Sequence, residues 1–179
     1  MTSIARAQAF AETAHDGQIR KGRNAEPYIA HVAEVAAAVA AFGGSDEQVV
    51  AAWLHDTVED CGVTLATLAA EFGAEVAALV AELTDDKSLP KAERKRLQIV
   101  NAPGKSQAVA LVKICDKMSN VRTVADSPPV HWSMERRAAY LDWAETVVNG
   151  LPVGLEAARR AFAATLSASR AKLSEETLK

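Results

Sequence analysis

The chain has 179 residues, nearly half of them hydrophobic, which suits one domain with a real core. Its formal net charge of −3 argues against general nucleic-acid binding, and aromatics are few. No basic-then-apolar leader and no apolar run of membrane-spanning length occur, so a soluble, cytoplasmic protein is expected. β-branched residues never alternate, alanine is abundant, and an all-α fold follows. Cys61 and Cys115 have neither zinc nor disulfide spacing and read as reduced, structural thiols.

Ser3 to about Asp16 reads as a helix stopped by Gly17. His15, in its last turn, suits the helix dipole or a local hydrogen bond. The loop from Gly17 to Glu26 bunches Arg20, Lys21 and Arg23 between glycines. Such a loop can wrap a phosphate or simply be solvated. Pro27 opens a second helix whose buried stripe is Tyr28, Val32, Val35, Val39 and Phe42. His31 lies at the edge of that stripe and points inward. Gly43-Gly44 ends this helix, and Ser45 or Asp46 caps the next.

That next helix carries Trp53-Leu54-His55-Asp56-Thr57-Val58-Glu59-Asp60. Read as one continuous helix, it sets His55, Asp56, Glu59 and Asp60 on an arc of roughly 140°. Three carboxylates on one patch repel unless a cation or a proton sits there. An exposed acidic helix end is the plain alternative.

Thr64 restarts a helix to Phe72, and Val76, Leu79, Val80 and Leu83 mark another. Thr84-Asp85-Asp86-Lys87 is a polar break. Pro90 begins a helix with Lys91, Arg94 and Lys95 on one face; charge alone favours a solvated stripe paired with Glu93. Ala102-Pro103-Gly104 is a turn, and Ser106 caps a long helix to about Arg122. Leu111, Ile114, Cys115, Met118 and Val121 form its apolar side; Lys113, Asp116, Lys117 and Asn120 form the other. After Pro128-Pro129, Ser133 caps a helix to Leu151 that holds Arg136, Tyr140 and Trp143. A last helix starts near Leu155, and its tail after about residue 166 is expected to fray.

His31, His55, Asp56 and Asp116, from three helices, make a mixed N/O donor set suited to Mn²⁺ or Fe²⁺, with Zn²⁺ as an alternative. The order His, His-Asp, Asp resembles the HD-domain metal-dependent phosphohydrolases. The flanks narrow this. Ala14-His15-Asp16-Gly17-Gln18-Ile19-Arg20-Lys21, Pro27-Tyr28-Ile29-Ala30-His31 and His55 to Asp60 resemble one branch. So do Thr84-Asp85-Asp86-Lys87, Glu93 to Gln98, Leu111-Val112-Lys113, and Asp116-Lys117 with Asn120 and Arg122. The branch is that of stand-alone small alarmone hydrolases of the metazoan SpoT-homologue type.

The resemblance implies a bundle of about ten helices, with Mn²⁺ on His31, His55, Asp56 and Asp116. It implies that Glu59 and Asp60 orient and deprotonate the attacking water. Arg20, Lys21, Lys91, Asn120, Arg136 and Tyr140 would meet the nucleotide. The substrate would be guanosine 3′,5′-bis(diphosphate) or the pentaphosphate, cut to GDP or GTP and pyrophosphate. A 2′-phosphatase acting on NADPH, a sensor that binds the alarmone without cutting it, and a helical interaction protein are the competing readings. Ile114-Cys115-Asp116 replaces a more usual Leu-Ala-Asp, Trp53 a smaller aliphatic, and Ser119-Asn120-Val121 a Tyr-Asn-Leu. Ser119 would thereby remove an aromatic wall from the nucleotide pocket, while Cys115 should pack in the core.

Overall fold

Capped, alanine-rich segments form ten α-helices over residues 2–178, the residues that the computed structural model describes. They are α1 (Ser3–Ala14), α2 (Tyr28–Ala41), α3 (Asp46–Leu54), α4 (Thr57–Cys61) and α5 (Leu65–Phe72). There follow α6 (Ala74–Leu83), α7 (Lys91–Asn101), α8 (Gln107–Asp126), α9 (Met134–Gly150) and α10 (Glu156–Thr177), with a 3-10 turn at Ala102–Gly104. Thr2, Ser45, Thr64, Ser106 and Ser133 each accept a hydrogen bond from a first-turn amide, which satisfies one orphan donor of the helix they start. Ser45 and Gln48 complete a capping box. Among the described residues there is no strand, only isolated bridges between Ile19 and Pro27 and between Gly22 and Pro129. No described helix is long and apolar enough to cross a membrane.

The helix α8 is the axis. It packs against α10, α2 and α9, and buries Val109, Val112, Ile114, Cys115 and Val121 almost completely. A second apolar cluster lies under α1, α3, α5 and α6 around Ala7, Leu54, Leu68 and Val80. Cys115 joins the core as expected, and burial pushes its thiol up to about 12.

The structure extends the sequence reading in three places. The long helix runs to Asp126, beyond Arg122, because Val124 and Ala125 still pack inward. The last helix continues to Thr177, with Ser169 and Leu173 buried and Glu176 bonded to the buried Arg137 guanidinium. The helix of the central motif is broken in two. Thr57 Oγ1 donates to the Leu54 carbonyl at 2.7 Å, and His55 Nδ1 bonds the Ala52 carbonyl at 2.7 Å. These side chains take carbonyls at the end of α3, so the chain bends through Asp56 (φ −100°, ψ −4°) and α4 restarts at Thr57.

The loop between α1 and α2 is tied down rather than free. Gly22 sits so close to Ser127 that an added Cβ would lie 2.4 Å from its carbonyl oxygen. Arg23 N–H donates to Pro128 O and Asn24 N–H to Ser127 Oγ. This seam holds Arg20 and Lys21 over one end of the cleft.

Candidate active site

Two helices and the α3–α4 bend converge. His31 comes from α2, His55 and Asp56 from the α3–α4 bend, and Asp116 from α8. Both imidazoles are almost fully buried. One ligand atom each from His31, His55 and Asp116 lies within 4.8 Å of the others. His31 Nε2 is 3.4 Å from Asp116 Oδ1, and His55 Nε2 is 3.9 Å from the same oxygen. Asp56 Oδ2 lies 3.1 Å from His55 Nε2 and 3.8 Å from His31 Nε2. It also accepts a 2.6 Å hydrogen bond from the Tyr28 hydroxyl.

The donor chemistry fits a divalent cation. A carbonyl only accepts, so His55 Nδ1–H donates to Ala52 and the lone pair of neutral His55 sits on Nε2. That Nε2 is buried without a hydrogen-bond partner among the described residues. Burial alone would push the His55 imidazole down; Asp56 and Asp116 outweigh it and hold it at about 9. Burial pushes the pKa of Asp116 up, and Lys117 and His31 overcome this and take it well below the usual carboxylate range. The site attracts positive charge, whether a proton or a metal ion supplies it.

A cleft opens over this cluster in two lobes, each of about 590 Å³. Tyr28, Glu59, Asp60, Lys91, Asn120, Trp132 and Tyr140 line both lobes, so they form the divide between them. One lobe holds His55, Asp56 and Asp116 with Arg94, Lys95, Lys113, Lys117 and Arg136. The other holds Arg20, Lys21 and Gly22 against Pro129. All six expected nucleotide contacts therefore line one cleft. Arg20 donates to Asn120 Oδ1 at 3.1 Å, and Asn120 donates to Asp116 Oδ1 at 2.6 Å, linking the loop to the cluster.

Glu59 and Asp60 also face the cleft, on α4. Glu59 Oε1 accepts from Arg94 Nη1 at 3.3 Å and Oε2 from the Asp85 amide at 3.3 Å. Burial raises the Glu59 pKa. Lys87 ion-pairs with Asp60 and stands 3.8 Å from Glu59.

The expectation of a solvated Lys91–Arg94–Lys95 stripe paired with Glu93 is overturned. Glu93 pairs with Arg96, on the outer side of α7, while the three cations line the cleft. Lys113, on the polar side of α8, lines the cleft and is only 5% exposed, and burial brings its pKa down to about 8. Ser119 borders neither lobe; it is buried, with its hydroxyl 2.9 Å from His31 Nδ1. His15 makes a local bond to Gln18 Oε1 at 2.9 Å and stacks on Tyr28.

Several cleft residues escape a reading of spacing alone. Tyr28 looked like stripe, yet its hydroxyl holds Asp56. Trp132 carries Arg136 over its ring at 4.6 Å and Lys91 at 5.8 Å. Trp143 lies between Lys95 at 4.4 Å and Lys117 at 4.8 Å. A tryptophan four residues before Arg136 and another three after Tyr140 was the available signal.

The HD domain family model matches residues 7–141. A guanosine-3′,5′-bis(diphosphate) 3′-pyrophosphohydrolase (MESH1) of Xenopus tropicalis is 45% identical over 83% of this chain and 84% of its own. The Homo sapiens protein of that name is 46% identical over 79% of this chain and 80% of its own. A solved structure of a metazoan SpoT orthologue that hydrolyses ppGpp superposes with a TM-score of 0.83 at 36% identity, covering 90% of this chain and 94% of that one. With His55 and Asp116 in the cleft wall and His31 buried against them, the chain belongs to the HD domain family, on the branch of the metazoan SpoT homologues.

Proposed function

We infer that this cleft hydrolyses the 3′-diphosphate of guanosine 3′,5′-bis(diphosphate), or of its pentaphosphate relative, to GDP or GTP and pyrophosphate. One observation carries the reading: the buried His31–His55–Asp116 group opens into a cleft with unpaired cations. Among the described residues, Lys91, Lys95, Lys113 and Arg136 have no ion-pair partner there. Such a charge pattern suits a substrate with two diphosphate arms.

His31, His55, Asp56 and Asp116 would hold the ion, and Mn²⁺ is our reading of the mixed N/O set, with Fe²⁺ or Zn²⁺ as alternatives. When bound, a divalent cation supplies Lewis acidity and screens phosphate charge. The chain's own residues do the rest. Lys91 and Arg136, fixed over Trp132, hold phosphoryl oxygens. Arg20, Lys21, Asn120 and Tyr140 seat the nucleoside across the divide. Glu59, held by Arg94 and the Asp85 amide, accepts a proton from the attacking water. The water oxygen joins phosphorus, the bond from phosphorus to the 3′-oxygen breaks, and a proton ends on that oxygen. Asp60, braced by Lys87, orients the water.

We take the whole chain as one catalytic domain whose ligand is a small nucleotide rather than a nucleic acid. Free Cys61 and Cys115 suit a reducing cytoplasm. The test compares kcat/KM for the tetraphosphate and for NADPH with Mn²⁺-loaded protein. A clear preference for the tetraphosphate supports the reading. A preference for NADPH would make the protein a 2′-phosphatase, and tight binding without cleavage would make it a sensor.

A further inference from the structure

Ser119 connects a candidate metal ligand to the surface. Its hydroxyl, 1% exposed with its residue, donates to Glu34 Oε2 at 2.7 Å and lies 2.9 Å from His31 Nδ1. Glu34 is one turn after His31 on α2 and ion-pairs with Arg122, which is half exposed. Neither Ser119 nor Glu34 lines the cleft, so neither touches substrate there.

A hydroxyl has one hydrogen, and an ionised carboxylate only accepts. The Ser119 hydrogen goes to Glu34, so its oxygen must accept from His31. His31 Nδ1 therefore carries the ring hydrogen, and the lone pair sits on Nε2. Nε2 is the atom facing Asp116 Oδ1 at 3.4 Å and Asp56 Oδ2 at 3.8 Å. His55 reaches the same tautomer by another route, through the Ala52 carbonyl. A carbonyl cannot donate, so His55 is set once and for all. A serine hydroxyl can rotate and donate to Nδ1 instead. His31 would then carry its hydrogen on Nε2, where it shuts out a cation. What prevents the rotation is the carboxylate of Glu34.

We infer that Glu34 and Ser119 are positioning residues that lock His31 in the tautomer able to bind a metal ion. The inference deepens the metal reading of the site and rests on it. Outer partners of this kind tune metal affinity by about 10–100-fold.

The test uses metal-free protein first. Nitrogen-15 NMR of the imidazoles, with His31 assigned through a His31→Gln variant, reads the tautomer directly. The parent should show His31 protonated at Nδ1. Glu34→Ala, at a partly exposed position, should move a measurable fraction to Nε2. Mn²⁺ titration should then give a Kd about 10–100-fold weaker for Glu34→Ala and Ser119→Ala. Ser119→Thr, which restores the hydroxyl, should return towards the parent. Melting curves check that each variant is folded, and Glu34→Ala carries the test if Ser119→Ala is not. Parent-like tautomer and Kd in Glu34→Ala would overturn the lock, as would a parent His31 protonated at Nε2. A tautomer shift in Glu34→Ala together with a parent that binds no divalent ion would sink the metal reading while supporting the lock.

Discussion

Arg94 Nη1 lies 3.3 Å from Glu59 Oε1, so a cation of α7 fixes a carboxylate of α4 at the edge of the cleft. The same carboxylate accepts the Asp85 amide through its other oxygen, and burial raises its pKa. A raised, immobilised carboxylate suits a general base. Glu59→Gln keeps the size and an accepting oxygen but cannot take a proton. Turnover should fall by about 10²–10⁴-fold, the usual worth of a positioned base. Metal content by elemental analysis and substrate Kd should stay close to the parent. Unchanged turnover would move the base to Asp60 or elsewhere.

The metal centre makes a prediction in two halves. His55→Ala should lose the ion, because it removes one of the buried donors that would hold it. Asp116→Ala should lose the ion and also destabilise the fold by about 3–5 kcal/mol, since it strands Lys117. Lys117 Nζ is 3.0 Å from Asp116 Oδ2 and only 5% of its side chain is exposed. Elemental analysis and chemical denaturation separate the two effects. Full metal content in His55→Ala would remove that residue from the ligand set.

Lys91 and Arg136 share the Trp132 ring and have no carboxylate partner among the described residues. Lys91→Ala and Arg136→Ala should mainly raise KM, because they hold ground and transition states alike. Both are exposed residues, so melting temperature should hardly move. Kinetics equal to the parent would place these side chains outside the substrate's reach.

Lys113 gives a pH-dependent stability. Its pKa is about 8 in the folded chain, against 10.5 for an ordinary lysine, and burial is the main cause. Below pH 8 both folded and unfolded chains hold the proton, so the full cost of a buried charge is present. Between 8 and 10.5 the folded chain releases it first, and the cost shrinks. Lys113→Met should therefore be more stable than the parent at pH 7, by roughly 1–3 kcal/mol. Urea denaturation should show that advantage fading as pH rises towards 10.5. A constant advantage across that range would mean that Lys113 is not the titrating group.

What could be read ahead of the structure was whatever is local. The period of Val76, Leu79, Val80 and Leu83 defines α6, and Ser45 or Asp46 announces the start of α3. Motif order placed His31, His55, Asp56 and Asp116, because the resemblance covers residues far apart in the chain. The break at His55–Asp56 was hidden, since a fixed 100° per residue ignores Thr57 and His55 bonding backbone carbonyls. The partner of Arg94 was hidden for a different reason. Glu93 is its neighbour in sequence, but Glu59 is its neighbour in space, and charge patterns carry no tertiary distance. The contact between Ser119 and Glu34 was hidden as well, because no motif flagged Glu34.

The most direct test of the central claim is the identity of the products. Parent protein with Mn²⁺ is incubated with guanosine 3′,5′-bis(diphosphate), and the mixture is followed by phosphorus-31 NMR and anion-exchange chromatography. Cutting at the 3′-oxygen predicts GDP and pyrophosphate appearing together in equal amounts, with Glu59→Gln producing neither at a comparable rate. Release of orthophosphate with a shortened diphosphate arm, or an untouched tetraphosphate in the presence of each divalent ion tried, would contradict the account.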